Sequence, residues 1–110
     1  MRVWLDDVRP PHPEPEGWVW VRTPAEAIEL LETGEVCELS LDHDLGLIDG
    51  GRELTGYDVV LWLERKVATE GFVPPGTIRV HSSNVPAAER MEAGIEAIRR
   101  LAGRPSEPSP

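Results

Sequence analysis

Residues 18–41 read Trp18-Val-Trp-Val-Arg22-Thr23-Pro24-Ala-Glu26-Ala-Ile28-Glu-Leu-Leu31-Glu-Thr-Gly34-Glu-Val-Cys37-Glu38-Leu-Ser-Leu41, three structural phrases in succession. The run from Trp18 to Arg22 is built of aromatic and β-branched side chains and reads as a strand. Thr23 then stands as an N-cap, Pro24 at the first helical position, and Glu26 closes a T-x-x-E capping box. Ile28 and Leu31 share one helical face, and Gly34 lies beyond the end. Glu38 to Leu41 is a second strand. Two strands joined through a helix are parallel neighbours or near neighbours in a sheet, with a right-handed crossover.

The same alternation extends in both directions. Arg2 to Leu5 reads as an earlier strand and Thr77 to His81 as a later one, each bounded by Gly, Pro or acidic residues. A second helix begins near Thr55-Gly-Tyr-Asp58, carries Val59, Val60, Leu63 and Val67 at helical spacing, and stops at Gly71. A third follows Asn84 and Pro86, with Met91, Ile95, Ile98 and Ala102 on one stripe, and ends at Gly103. Pro10, Pro11, Pro13 and Pro15 forbid a helix between the first two strands, so that connection is an extended loop. The pattern predicts an α/β fold with a mostly parallel sheet and helices on both faces. Residues 1–103 form the expected domain, and the Pro/Ser-rich stretch 104–110 is expected to be a disordered tail.

Composition sets the bounds on what such a domain does. The chain has 110 residues, 11 basic and 20 acidic, for a formal charge of −9, which argues against a duplex DNA-binding surface. The longest apolar run, Val59 to Leu63, is far short of a membrane span, and the N-terminus lacks the layout of a signal peptide. Cys37 is the only cysteine and is expected to be a small buried residue beside a strand. A cytoplasmic address is the expectation, with no membrane partner.

In parallel sheets, sites form beyond the carboxyl ends of the strands. There the chain places Asp6, Asp7 and Arg9 after the first strand, Asp42, His43 and Asp44 after the third, and His81, Ser82, Ser83 and Asn84 after the fourth. Four aspartates converging in one crevice would repel one another without a cation, and oxygen ligands suit Mg²⁺, Mn²⁺ or Ca²⁺. Imidazoles there would bind a softer metal or move protons. Each residue also has a plainer reading. The aspartates can end strands and start turns, with Asp44-Leu-Gly46 itself turn-like. His43 can be a structural histidine, Ser83 or Asn84 the cap of the third helix, and Arg9 a partner for a carboxylate rather than a phosphate. His12, in the proline loop, is expected to be solvated.

The adjacent pair Asp6-Asp7 with Asp42 resembles the acidic pocket of response-regulator receiver domains. LDDVRPP, SLDHDLG, GYDVVLWL and HSSN, in this order over residues 1–102, more specifically resemble the cyclic-phosphate processing receiver-like family. The resemblance implies a reduced receiver-like (flavodoxin-like), three-layer fold of four parallel strands in the order 2-1-3-4. It further implies a divalent-metal-dependent phosphoesterase acting on a cyclic phosphate, such as a 2′,3′-cyclic nucleotide or an RNA end. Asp6, Asp7 and Asp42 would hold Mg²⁺ or Mn²⁺. His43 and His81 would serve as general base and acid, Asp44 would orient a histidine or the metal water, and Arg9, Ser82 and Asn84 would bind phosphate. The chain departs from an ordinary receiver in lacking a fifth strand with a terminal lysine, since its only lysine, Lys66, lies inside the second helix. Two rivals follow: a non-catalytic module that binds metal or a partner, and a phosphorylatable signalling receiver, in which Asp42 would accept the phosphoryl group and which the missing lysine disfavours.

Overall fold

The computed structural model describes residues 1–13 and 15–103, so the tail expected at 104–110 lies outside the described residues. In chain order the elements are β1 (Arg2–Leu5), β2 (Trp18–Val21), α1 (Pro24–Leu31), β3 (Glu38–Leu41), β4 (Asp44–Asp49), β5 (Arg52–Thr55), α2 (Gly56–Glu70), β6 (Thr77–Val80) and α3 (Val85–Ala102). Four of the strands form one parallel sheet in the order β2-β1-β3-β6. The strand expected as fourth is therefore the sixth in the chain, because an unforeseen antiparallel hairpin, β4-β5, stands between β3 and α2. The expected turn at Asp44-Leu-Gly46 is instead the start of β4, where Gly46 at φ +65° marks an irregularity in the pairing.

Each helix starts where its cap chemistry dictates. The Thr23 hydroxyl accepts from the Glu26 amide, and the Glu26 carboxylate accepts from the Thr23 amide, both at 3.1 Å. Thr55 and Asp58 build the same reciprocal box for α2, which ends at Gly71 in the left-handed conformation. Asn84 caps α3 through its side-chain oxygen.

All three helices share one core with one face of the sheet. Val3, Leu5, Val21, Leu39, Leu41 and Ile78 from the strands pack with Ala27 and Leu31, with Val59, Val60, Leu63 and Val67, and with Met91, Ile95 and Ile98. The expected three-layer arrangement is thus corrected to two layers. The reason is directional. From β2 to β3 and from β3 to β6 the chain steps the same way across the sheet, and crossovers of one hand in one direction put α1 and α2 on one face. Only the step from β1 to β2 runs the other way, and it is made by the proline loop. The opposite face, carrying Arg2, Trp4, Trp18, Trp20, Glu38, Ser40 and Arg79, has no helix over it among the described residues. Cys37 is exposed rather than buried, because it precedes β3 at the sheet's lower rim, where its amide bonds the Met1 carbonyl. Among the described residues, no helix is long and apolar enough to cross a membrane.

Candidate functional site

The sheet ladder continues one residue past three strands. The amide of Asp6 donates to the Val21 carbonyl, that of Asp42 to Leu5, and that of His81 to Leu41, at 2.9–3.1 Å. These bonds hold three side chains in sheet register, and alternation points all three toward the helix-free face. Asp6, Asp42 and His81 each offer a ligand atom, and those atoms lie within 4.8 Å of one another. Asp6 is wholly buried and Asp42 is 7% exposed.

Burial works against the Asp6 charge, but its Oδ1 accepts from the Val8 and Arg9 amides at 3.0 and 2.8 Å, and His81 donates to Oδ2. Those bonds outweigh burial and hold the Asp6 carboxyl below its ordinary range. Asp42 goes the other way. Burial raises it, the His43 amide at 2.8 Å opposes that, and repulsion from Asp6 and Asp7 adds to the rise against the pull of Arg9. The site is short of positive charge, and two carboxylates in this state form a hard-oxygen donor set suited to a divalent cation.

His81 is fixed on three sides. Its ring stacks on Trp4 at 3.8 Å and 6°, Nε2 lies 3.1 Å from Asp6 Oδ2, and Nδ1 lies 2.8 Å from Ser40 Oγ. Burial, against the attraction of Asp6, drives its pKa down to about 4, so the ring is neutral at pH 7. An ionised carboxylate only accepts, so Nε2 carries the proton and Nδ1 accepts from the Ser40 hydroxyl. A hydroxyl can reverse its role, which lets Nε2 become a lone-pair donor without losing the Ser40 bond.

Arg9 sits between the two carboxylates, with Nε 3.3 Å from Asp6 and a terminal nitrogen 3.8 Å from Asp42 and 3.0 Å from the His81 carbonyl. Asp7 is half-buried and outside the three-residue cluster, though its charge reaches Asp42. The expected convergence of four aspartates is thus reduced to two with an imidazole. Asp44 is drawn away because β4 begins with it. Its Oδ1 lies 2.8 Å from Nδ1 of the buried His43, and Asn84 Nδ2 donates to its Oδ2 at 3.3 Å. The His43 bond is the main cause of the lowered Asp44 pKa. Asn84 both caps α3 and reaches Asp44, while Ser82 Oγ accepts from the Asn84 amide at 3.1 Å. His12 is exposed as expected, but its ring packs edge-on against Trp4 at 5.2 Å.

Four supporting residues went unnoticed in the sequence. Trp4 and Ser40 hold His81, Trp20 Nε1 donates to the Asp6 carbonyl at 2.8 Å, and Arg22, lying over the Trp20 ring, donates to the Asp7 carbonyl. The available signal was parity: Trp4 precedes Asp6, and Ser40 precedes Asp42, by two residues on the same strand face.

A family model described as "Cyclic-phosphate processing Receiver domain" matches residues 1–97. No curated protein and no solved structure matches the chain.

Proposed function

Because the chain belongs to the cyclic-phosphate processing receiver domain family, we propose that it is a divalent-metal-dependent phosphoesterase that opens a cyclic phosphate. The favoured substrate is a 2′,3′-cyclic nucleotide or the equivalent RNA end. The observation that carries this reading is the Asp6–Asp42–His81 cluster, its two carboxylates buried and its ligand atoms within 4.8 Å of one another. Asp6 and Asp42 would hold Mg²⁺ or Mn²⁺, with Asp7 adding charge. Bound there, the ion would polarise a phosphoryl oxygen and acidify a water.

The remaining roles fall to the protein's own groups. His43, with Nδ1 held by Asp44, takes the proton of the attacking water at Nε2. The imidazolium form of His81, a minor species above its pKa of about 4, delivers the Nε2 proton to the departing ribose oxygen and returns to the neutral ring. Water oxygen joins phosphorus, one ring P–O bond breaks, and the product is a phosphomonoester with a free hydroxyl. Arg9 grips a non-bridging oxygen when the carboxylates are neutralised by the cation, and Ser82 and Asn84 add polar contacts from the start of α3. A phosphorelay is disfavoured because Lys66, the only lysine, lies in α2 with Nζ on Glu70 at 2.9 Å.

The test is a screen of purified protein with Mg²⁺, Mn²⁺ or EDTA against cyclic and linear phosphoesters. Metal-dependent opening of a cyclic phosphate is expected, with His43→Ala and His81→Ala each slowing turnover on the order of 10²-fold or more. Acetyl phosphate should leave no lasting acyl phosphate on Asp42 by intact mass. Cleavage of no cyclic phosphate with any metal would hand the lead to a non-catalytic binding module. A stable Asp42 adduct would favour signalling.

A further inference from the structure

The helix-free face of the sheet holds a cleft of about 370 Å³, within the roughly 300–1,000 Å³ typical of small-ligand sites. Its lining includes Arg2, His12, Trp18, Glu38, Arg79 and His81. We propose that this cleft is a nucleoside subsite, holding the base and ribose of a substrate whose cyclic phosphate lies at the Asp6–Asp42–His81 cluster. The proposal rests on the phosphoesterase reading above and specifies its substrate as a nucleoside 2′,3′-cyclic phosphate.

Continuity is the first argument. His81 lines the cleft and also belongs to the carboxylate cluster, so the two spaces meet at one imidazole. A ligand anchored by phosphate at the strand ends has this cleft as its neighbouring volume. Ring geometry is the second. Trp18 and His12 stand at 75° and 69° to the buried Trp4 ring, which lies parallel to His81, and the Arg2 guanidinium lies 4.2 Å over Trp18, so the cleft is walled by an aromatic cluster that already stacks a planar cation. Every base has a π-face, and aromatic side chains are the usual platform for it. Hydrogen bonding is the third. Arg2 and Arg79 lie 3.1 and 4.0 Å from Glu38 on the wall of the cleft. Arg79 offers donors to the ring nitrogens and carbonyls of a base, and Glu38 offers an acceptor to exocyclic amino groups.

Two measurements test the subsite. The first compares kcat/KM for adenosine 2′,3′-cyclic phosphate with that for glycerol 1,2-cyclic phosphate, which has no base. Wild type should prefer the nucleotide, and Arg79→Ala and Trp18→Leu should each lower that preference about tenfold, mainly through KM. Equal effects on both substrates would overturn the proposal. A trinucleotide ending in a 2′,3′-cyclic phosphate, run alongside, distinguishes an RNA end from a free nucleotide as the source, and the Arg79→Ala loss is expected with either.

The second needs no turnover: adenosine 3′-monophosphate is titrated into protein in EDTA while the Trp18 indole N–H resonance is followed. A saturable shift in wild type, weakened about tenfold by Arg79→Ala, supports the subsite. No shift at Trp18 up to millimolar ligand overturns it. If the shift is seen but no metal supports cleavage, the phosphoesterase reading fails while the subsite stands.

Discussion

His81 is a histidine that the fold keeps neutral. It is packed on Trp4 and faces Asp6, Arg9, His12 and Ser40, and burial lowers its pKa from 6.5 to about 4. Between those values the unfolded chain binds a proton that the native protein refuses, so stability rises with pH across that window. In metal-free protein this contribution, roughly 3 kcal/mol, should be complete above about pH 6.5 and disappear as the pH falls to about 4. Denaturant melts in EDTA at several pH values should show the slope in wild type and a flatter one in His81→Gln. Parallel slopes would refute the assignment. Asp6, whose pKa is lowered, loses its contribution only at more acidic pH. Strand-end position was enough to pick out Asp6, Asp42 and His81. Ser40 and Trp4 were invisible as partners because their roles depend on the β1–β3 and β3–β6 registers, which pair residues 36 and 39 apart in the chain.

At the scale of elements, the legible helices were those with reciprocal caps, and the illegible element was the hairpin. Its strands, Asp44–Asp49 and Arg52–Thr55, are largely exposed and bury only Leu45 and Thr55, so they carry little apolar alternation. The one local signal was Gly50-Gly51, both at positive φ, as a two-residue hairpin loop requires. The hairpin ends at Thr55, and Gly56 then passes against the end of β3. A Cβ at Gly56 would stand 1.8 Å from the Asp42 carbonyl oxygen, a backbone atom with no freedom to move aside. Gly56→Ala should therefore cost at least about 2 kcal/mol and displace Asp42, as urea melts and metal titration together would show. An unchanged urea midpoint would mean that the approach is looser than described.

For the whole molecule, the cluster is gathered from the ends of β1, β3 and β6, up to 75 residues apart, so the unfolded chain would have no ready-made cation site. Binding energy then adds to folding energy, about 2.7 kcal/mol at a hundredfold excess over Kd. Millimolar Mg²⁺ or Mn²⁺ should raise Tm by roughly 10 °C, EDTA should reverse the rise, and Asp42→Asn should abolish it. A wild-type Tm indifferent to both ions would remove the basis for a metal site. Alternation of strands and helices revealed the parallel sheet. It did not reveal the layering, which depends on the direction of each step across the sheet.

The order β2-β1-β3-β6 also bears on how the chain is made. Once β1 and β2 have paired, β3 adds beside β1 and β6 beside β3, so every later strand joins an open edge. None has to wedge between two strands already bonded. A nascent chain emerging N-terminus first can therefore lay down the sheet in the sequence of its synthesis. On that route Asp6 and Asp42 would come into place first, and His81 would complete the cluster when the last strand docks.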